Sequence, residues 1–339
     1  QWQSSPDDVT YTNIFGATAE TYDPSAITQT TYYKRITFSD LNGRECSAES
    51  NVVTVYLNNP DPGTIDGSQT ICSGDDPVAF TSLLAGSGPD QIDYRWESRT
   101  GTDAFAPIAS TNNPVYDPGN LTITTDFRRV TISTYNGVPC EAVSNVLTVT
   151  VNDVDAGSIE APQTICYGTA PSALTSDTDA TADGFLTYSW ERSTDGSNYS
   201  SIPGAALPGY TPPVLTTTTW YRRVATSSLN GKECSEATDP VMITVDPLPV
   251  AVISGDNDIC PGNSSTLNVN ITNGTPPYDV VINNVTGTET YASSPGATVV
   301  SPDVNTTYTL VSVEDDNGCI SNIASGNLSG SAPISIYDT

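Results

Sequence analysis

The chain has 339 residues with 39 acidic side chains, 11 basic side chains and no histidine, so its formal charge at pH 7 is −28. A nucleic-acid-binding protein needs a basic surface that neutralises phosphates, and this charge balance opposes it. The absence of histidine removes Ser-His-Asp and Cys-His nucleophile systems and histidine-ligated zinc. The chain contains no run of about 18 or more apolar residues, so no transmembrane helix is predicted.

A repeat of 94 residues organises most of the chain. Trp2, Trp96 and Trp190 stand 94 residues apart, and the same interval recurs for several cysteines and tyrosines. A fourth unit is related to the first three, but it is shorter between its two cysteines and lacks the tryptophan. The first unit starts at its tryptophan, so we expect it to lack its own N-terminal part. The predicted domains, called repeats 1 to 4 below, are residues 1–58, 59–152, 153–246 and 247–339.

Each repeat is predicted to consist of β-strands. Runs rich in β-branched residues alternate with period two near the repeat ends, as in residues 241–245, which indicates a strand with one face on a core. An Asn-Gly pair precedes each of these runs and favours a type I′ hairpin, which needs positive φ at both central residues. The pairs are Asn42-Gly43, Asn136-Gly137, Asn230-Gly231 and Asn317-Gly318. Units of this length with many short strands are typical of immunoglobulin-like β-sandwiches, so we predict an all-β chain of tandem sandwiches arranged as an elongated rod.

The seven cysteines recur with the repeat, which favours one disulfide inside each complete repeat. The predicted pairs are Cys72–Cys140, Cys166–Cys234 and Cys260–Cys319. Cys46 is then expected to be unpaired by truncation, because its partner would lie before the first residue. Disulfides persist in oxidising compartments, so these pairs predict a secreted or cell-surface protein.

The repeated tryptophans and basic residues are predicted to be structural. Trp2, Trp96 and Trp190 are expected to fill the cores of their sandwiches rather than stack on sugars. Trp220 is the better candidate for contact with a ligand. Two adjacent basic residues also recur in each of the first three repeats, and we expect them to form ion pairs with Glu97 or Glu191. These basic pairs are Lys34-Arg35, Arg128-Arg129 and Arg222-Arg223.

Acidic side chains near the repeat boundaries could bind calcium, which takes carboxylate and carbonyl oxygens. Strand order places each Asn-Gly hairpin at the end of its repeat that faces the preceding repeat. Carboxylates of linker and hairpin could then meet around an ion that stiffens the junction; a solvated acidic surface that maintains solubility is the simpler interpretation. No other cofactor is expected. The candidate ligands are Asp61, Asp66, Asp153, Asp155, Asp246, Asp256, Asp258, Asp315 and Asp316.

Two groups of segments resemble known families. Tyr94-Arg95-Trp96-Glu97 and Tyr188-Ser189-Trp190-Glu191 resemble the Tyr-x-Trp-Asp/Glu strand of PKD-like sandwiches. Repeat 4 is similar to the immunoglobulin-like repeats of giant secreted proteins of the Bacteroidota, through residues 273–278, 306–310 and 316–319. This resemblance implies an extracellular, bacterial cell-surface adhesin that is exported by the type IX secretion system. The proteins that contain such repeats include adhesins of gliding motility.

The repetition itself argues for a structural role. A catalytic site would occur once, whereas the notable features here occur two to four times, so no enzyme is predicted. We expect a structural or adhesive stalk of a long surface protein, with further repeats of the same polypeptide, surface polysaccharide or other cell-surface proteins as partners. Two alternatives remain: an accessory binding module of a secreted enzyme that degrades polysaccharide or protein, and a subunit of a polymerising surface appendage.

Overall fold

The computed structural model describes residues 1–255 and 257–337. Contacts divide the chain into two compact units, Gln1–Val151 and Asn152–Thr339. The predicted all-β class is confirmed, because the described residues form β-strands and one short 3-10 turn. No helix among them has the length and apolar character that a membrane crossing requires. The exact boundaries of the four repeats stay predictions.

Repeat 1 contains a single sheet. Its strands are β1 (Trp2–Ser5), β2 (Thr12–Asn13), β3 (Thr31–Leu41), β4 (Arg44–Glu49) and β5 (Val53–Val55). They are ordered β2-β1-β3-β4, and β5 pairs with β3.

Repeat 2 forms a sandwich with one large and one small sheet. Its strands are β6 (Thr64–Asp66), β7 (Gln69–Cys72), β8 (Thr81–Leu84), β9 (Gln91–Thr100), β10 (Ala106–Pro107), β11 (Thr125–Tyr135) and β12 (Val138–Asn152). The large sheet has the order β10-β9-β11-β12-β7, and β6 pairs with β8 in the small one.

Repeat 3 has the same plan with more interruptions. Its strands are β13 (Val154–Asp155), β14 (Ser158–Ile159), β15 (Gln163–Cys166), β16 (Ser176–Thr178), β17 (Thr181–Ala182), β18 (Phe185–Ser193), β19 (Ser200–Ser201), β20 (Thr219–Leu229), β21 (Lys232–Ala237) and β22 (Val241–Asp246). The large sheet is β15-β22-β20-β18-β19 with β21 on β20, and the pairs β13–β17 and β14–β16 complete the fold. The first strand of the large sheet runs parallel to the last, since β15 pairs in parallel with β22.

Repeat 4 is a sandwich of different strand lengths. Its strands are β23 (Val250–Ser254), β24 (Asn257–Ile259), β25 (Ser265–Thr272), β26 (Tyr278–Ile282), β27 (Glu289–Tyr291), β28 (Gly296–Val300), β29 (Thr306–Tyr308), β30 (Leu310–Asp315), β31 (Ile320–Asn322), β32 (Leu328–Ser329) and β33 (Ala332–Ile336), with a 3-10 turn at Ile323–Ser325. The sheets are β28-β25-β23-β32, β27-β26-β30-β31 and β24-β33-β29.

Strand periodicity produces these cores. Along β20, buried and half-buried residues alternate over nine positions, because successive side chains point to opposite faces. The alternation places Trp190 and Tyr221 inside repeat 3, each 0% exposed, and Trp96 inside repeat 2, also 0% exposed. Trp2 is only half-buried. Trp220 is half-buried as well, and its suggested contact with a ligand stays a prediction.

Three of the four Asn-Gly turns have the expected geometry. Asn42, Asn136 and Asn230 have φ of 52°, 49° and 51°, and each is followed by a glycine of positive φ, as a type I′ turn requires. The turn at Asn317 differs, because positive φ there occurs at the following glycine and not at the asparagine. The carboxylate of Asp315 accepts hydrogen bonds from the backbone N–H groups of Asn317 (3.1 Å) and Cys319 (2.8 Å), and so holds a longer loop between β30 and β31.

Candidate functional site

An arginine is fully buried at the centre of repeat 2, and its counterpart is fully buried in repeat 3. Arg129 and Arg223 are both 0% exposed. Each lies directly opposite the core tryptophan across a strand pair, Arg129 beside Trp96 and Arg223 beside Trp190. Since side chains alternate along a strand, this register directs the arginine to the core while the preceding arginine points to the other face.

The guanidinium of Arg129 binds four oxygen atoms from three segments of repeat 2. Nη1 donates to the hydroxyl of Ser82 (2.7 Å) and to the carbonyl of Pro114 (3.0 Å). Nη2 donates to the carbonyls of Pro62 (2.9 Å) and Leu84 (3.1 Å). One side chain therefore fastens the start of the repeat, the small sheet and the loop before β11 to the large sheet.

Repeat 3 contains the same network at positions 94 residues later. Nη1 of Arg223 donates to the hydroxyl of Ser176 (2.5 Å) and the carbonyl of Pro208 (3.0 Å). Nη2 donates to the carbonyls of Ala156 (2.8 Å) and Thr178 (3.5 Å). Two of these acceptors differ in residue type between the repeats, and the network persists because three of its four acceptors are backbone carbonyls.

The charge of these arginines is compensated without a carboxylate. None of the ion pairs among residues 1–255 and 257–337 includes Arg129 or Arg223, so the predicted ion pairing is wrong for these two residues. Carbonyl dipoles take the place of a carboxylate, together with one aromatic ring in each repeat. The ring of Tyr94 lies 5.0 Å from the guanidinium of Arg129, and the ring of Tyr188 lies 5.3 Å from that of Arg223. Burial lowers the pKa of Arg129 from its ordinary value.

The preceding arginines form the expected ion pairs. Arg128 lies 2.6 Å from the carboxylate of Glu97, and Arg222 lies 2.7 Å from that of Glu191, so this part of the prediction is confirmed. Repeat 1 differs because Gln3 stands opposite Lys34 where Glu97 stands opposite Arg128. Lys34 instead pairs with Glu49 at 2.9 Å.

A cation also covers an aromatic ring at the same place in the first three repeats. Lys34 lies 4.2 Å from the ring centre of Tyr11, and Arg128 lies 4.1 Å from that of Phe105. Arg222 lies 4.1 Å from that of Tyr199. These contacts cover apolar surface on the outer face of each sheet. Together with the hydrogen bonds and ion pairs above, they give most of the basic residues in the first three repeats a contact within the protein.

Among the described residues, a second ion-pair network occurs in repeat 2 alone. Arg95 contacts both Glu97 (3.0 Å) and Glu141 (2.8 Å). Hydrogen bonding to Glu141, and then to Glu97, raises the pKa of Arg95 above its ordinary value, and the same bond from Arg95 lowers the pKa of Glu141. Glu97 therefore has two cationic partners, which matters for the design of variants at Arg128.

Within the first compact unit, the end of repeat 1 contacts the β11–β12 hairpin of repeat 2. The side-chain amide of Asn58 donates to the carbonyls of Ser133 (2.7 Å) and Val138 (3.0 Å), one on each strand of that hairpin. The rings of Tyr56 and Tyr135 meet edge to face with centroids 5.2 Å apart. The predicted position of the hairpin, facing the preceding repeat, is confirmed here.

The second compact unit repeats this arrangement. The side-chain amide of Asn152, which is 0% exposed, donates to the carbonyls of Ser227 and Lys232, both at 3.0 Å, across the β20–β21 hairpin. At the boundary of repeats 3 and 4 the roles are exchanged, because the amide of Asn317 in the hairpin donates to the carboxylate of Asp246 at 2.7 Å.

A disulfide joins repeats 3 and 4. Cys166, at the end of β15, is bonded to Cys319, beside the β30–β31 hairpin, with the two Cα atoms 5.4 Å apart. Cys72 and Cys234 are also disulfide-bonded, whereas Cys46, Cys140 and Cys260 are free thiols. The three predicted pairings, Cys72–Cys140, Cys166–Cys234 and Cys260–Cys319, are therefore wrong.

The physical reason lies in where the hairpin points. A hairpin cysteine lies at the end of its sandwich, next to the preceding repeat, and the strand-end cysteine of its own repeat is not its neighbour. A pattern of disulfides within each repeat and a pattern of disulfides between neighbouring repeats would both recur every 94 residues. Sequence periodicity alone therefore could not distinguish the two patterns of pairing. Cys46 is unpaired, as the sequence also indicated.

Five of the acidic residues suggested as calcium ligands accept hydrogen bonds from protein groups. The carboxylates of Asp61, Asp66 and Asp155 each accept a backbone N–H from a nearby glycine at 2.7 to 2.8 Å. No three His, Cys, Asp or Glu residues form a group able to hold a metal in the part of the chain that the structure describes. Asp256 lies outside the described residues, so calcium stays a prediction. Asp246 and Asp315 accept hydrogen bonds from Asn317 in the repeat 4 hairpin. The remaining candidates are Asp153, Asp258 and Asp316.

Comparison with known proteins gives a family and a fold. A model of the family described as "Domain of unknown function (DUF8696)" matches residues 1–59, 61–153 and 155–247. None of the curated proteins matches the chain.

Similar solved structures contain tandem immunoglobulin domains. The I-band fragment I67-I69 from titin is 10% identical with a TM-score of 0.39, and the match covers 84% of this chain and 100% of titin's fragment. Sidekick-1 immunoglobulin domains 1-5 are 10% identical with a TM-score of 0.28, covering 100% of this chain and 74% of that one. Three N-terminal domains of the highly immunogenic outer capsid protein of bacteriophage RB49 are 14% identical with a TM-score of 0.27, covering 84% and 100%. Nothing about ligands follows from likeness at this level.

Proposed function

Since the chain belongs to this family and carries three consecutive copies of its domain, we propose that it acts as a non-enzymatic structural spacer. In this role the repeats hold a functional region of a long surface protein at a distance from the cell. The repeated device would be the domain and its junction, and the number of repeats would set the distance. In repeats 2 and 3 the buried arginine binds only oxygen atoms of its own repeat, which suits a spacer built by duplication.

The disulfide between Cys166 and Cys319 is the observation that carries this proposal. It joins two consecutive repeats covalently, next to the hydrogen bond between Asp246 and Asn317. Such a bond suits a spacer, because it limits bending between neighbouring domains.

The setting follows from the same features. Disulfides favour an oxidising compartment, which supports an extracellular or cell-surface location. The formal charge of −28 would keep such a segment soluble and separate from anionic polymers. The resemblance to Bacteroidota adhesins supports an adhesive stalk, exported by type IX secretion and possessing surface polysaccharide or surface proteins as partners of its distal end.

A repeat-exchange experiment in the intact surface protein tests the proposal. Deleting residues 153–246 should reduce attachment of the cells to a surface, because the functional end is then closer to the cell. Replacing the deleted residues with a second copy of residues 59–152, which align without a gap, should restore attachment. If the copy fails to restore it, repeat 3 carries a specific binding site, and a polymer-binding assay with the purified chain would then identify an accessory module.

A further inference from the structure

The cysteines belong to two structural classes. The strand-end cysteines follow a short strand near the start of a repeat, and the hairpin cysteines lie beside the Asn-Gly hairpin near its end. The strand-end class is Cys72, Cys166 and Cys260, and the hairpin class is Cys46, Cys140, Cys234 and Cys319.

The disulfide between repeats 3 and 4 joins one member of each class. Cys166 is the strand-end cysteine of repeat 3, and Cys319 is the hairpin cysteine of repeat 4. This gives a rule: the strand-end cysteine of one repeat bonds to the hairpin cysteine of the next.

The rule accounts for the oxidation state of the other five cysteines. Cys72 is a strand-end cysteine and Cys234 is a hairpin cysteine, and both are disulfide-bonded. Cys46 and Cys140 have no strand-end cysteine one repeat earlier within the 339 residues, and Cys260 has no hairpin cysteine one repeat later. These three are the free thiols.

Exposure follows the same division. The bonded hairpin cysteines are buried, with Cys234 4% exposed and Cys319 1% exposed. The unbonded ones are more open, since Cys46 is exposed and Cys140 is half-buried. Cys260, the free strand-end cysteine, is exposed too. Cys46 and Cys260 therefore lie on surfaces that a neighbouring repeat covers where the bond is made, whereas Cys140 belongs to the β11–β12 hairpin, which repeat 1 already contacts through Asn58.

We infer that Cys260 and Cys46 are half-sites for covalent attachment of further repeats of this kind. Cys260 takes the hairpin cysteine of another repeat, and Cys46 takes a strand-end cysteine. The partner is a repeat of the same family, located either in the same polypeptide or in a second copy of the chain.

The chemistry is a thiol–disulfide exchange with a small-molecule disulfide as oxidant. The thiolate of one cysteine attacks the oxidant, forming a mixed disulfide and releasing one thiolate. The partner cysteine then attacks the protein sulfur of that mixed disulfide and releases the second thiolate. Two protein thiols lose two electrons and two protons in total, one sulfur–sulfur bond forms between the repeats, and the oxidant is reduced to two thiols.

The first arm of the test uses the purified full chain. The chain is treated with oxidised glutathione, and cross-linked peptides are counted by mass spectrometry, once in native buffer and once in urea. The ratio of bonds from Cys260 to Cys46 over bonds between two Cys260 residues should be at least tenfold higher in native buffer. Cys260→Ser should remove the head-to-tail bonds, Cys46→Ser should do the same, and Cys140→Ser should leave them unchanged.

The second arm supplies the partner within one polypeptide. A second copy of residues 247–339 is joined after residue 339, so that its hairpin cysteine stands one repeat after Cys260. Oxidation should then join these two cysteines, and a copy with serine at the hairpin position should leave Cys260 free. Bonding in this arm alone assigns the partner to the same polypeptide, and bonding in the first arm shows that a second copy serves. The inference is overturned if the native and urea ratios agree in the first arm and Cys260 stays a thiol in the second.

This test is independent of the spacer proposal. Cross-linking of purified protein does not depend on cell attachment, and attachment could depend on repeat number without any bond at Cys260.

Discussion

Replacing the buried Arg129 by methionine should destabilise repeat 2 far more than the same change at the neighbouring Arg128. Methionine retains most of the side-chain volume and removes the donors. Ser82, Pro62, Leu84 and Pro114 then lose a charged hydrogen-bond donor. A buried acceptor left unsatisfied costs about 1–3 kcal/mol.

The net effect is smaller than the sum of the four bonds, because the variant no longer buries a guanidinium. We expect a loss of about 3–5 kcal/mol, which is below the sum for four unsatisfied acceptors at about 1–3 kcal/mol each. Arg128→Met breaks an ion pair with Glu97 whose cation is 29% exposed, and Glu97 keeps Arg95 as a partner. Glu97 itself is only 5% exposed, so the expected cost is about 1–2 kcal/mol, still well below that of Arg129→Met.

Native-state hydrogen exchange of the full chain, read by mass spectrometry, measures the two variants. Peptides from β11 should exchange roughly two to three and a half orders of magnitude faster in Arg129→Met, because each 1.4 kcal/mol is about tenfold. Peptides from β20 of repeat 3 serve as the reference, and the pair Arg223→Met and Arg222→Met repeats the comparison there. Equal effects of Arg129→Met and Arg128→Met would refute the view that the carbonyl network stabilises the sandwich.

Three further predictions concern a junction, a buried phenol and metal ions. Asn152→Ala removes two hydrogen bonds to hairpin carbonyls and should cost about 1–3 kcal/mol in urea unfolding of repeat 3, whereas an unchanged midpoint would show that water replaces the amide. Burial, with a smaller contribution from the charge of Tyr210, raises the pKa of Tyr221 to about 12. The unfolded chain therefore loses this proton at lower pH than the folded chain does, so the free energy of unfolding should fall as pH rises from about 10 to 12. Tyr221→Phe should make that fall smaller. Adding calcium to chelated protein should leave Tm unchanged, because no three carboxylates among the described residues form a group able to hold a metal and Asp246 already accepts a hydrogen bond from Asn317; a rise of several degrees would show that calcium binds the folded chain.

Much of the fold was predictable because it depends on local periodicity and on duplication. Period-two alternation and Asn-Gly pairs predicted the strands and three type I′ turns, since both signals act over a few residues. The same alternation could have placed Arg129 on the core face, because it stands two residues after the apolar Phe127, which is 3% exposed. The expectation that arginine seeks a carboxylate led to the wrong partner.

The sequence by itself determined the repeat, the all-β class, the core tryptophans Trp96 and Trp190 and the ion pair between Arg128 and Glu97. Each of these depends on neighbours along one strand or across one strand pair. Only the tertiary structure decided the disulfide between Cys166 and Cys319 and the carbonyl network of Arg129. Both connect segments that are distant in sequence, and backbone carbonyls have no signature in the residue types. Periodic spacing fixes which cysteines are equivalent, but the direction in which a hairpin points decides which of them meet.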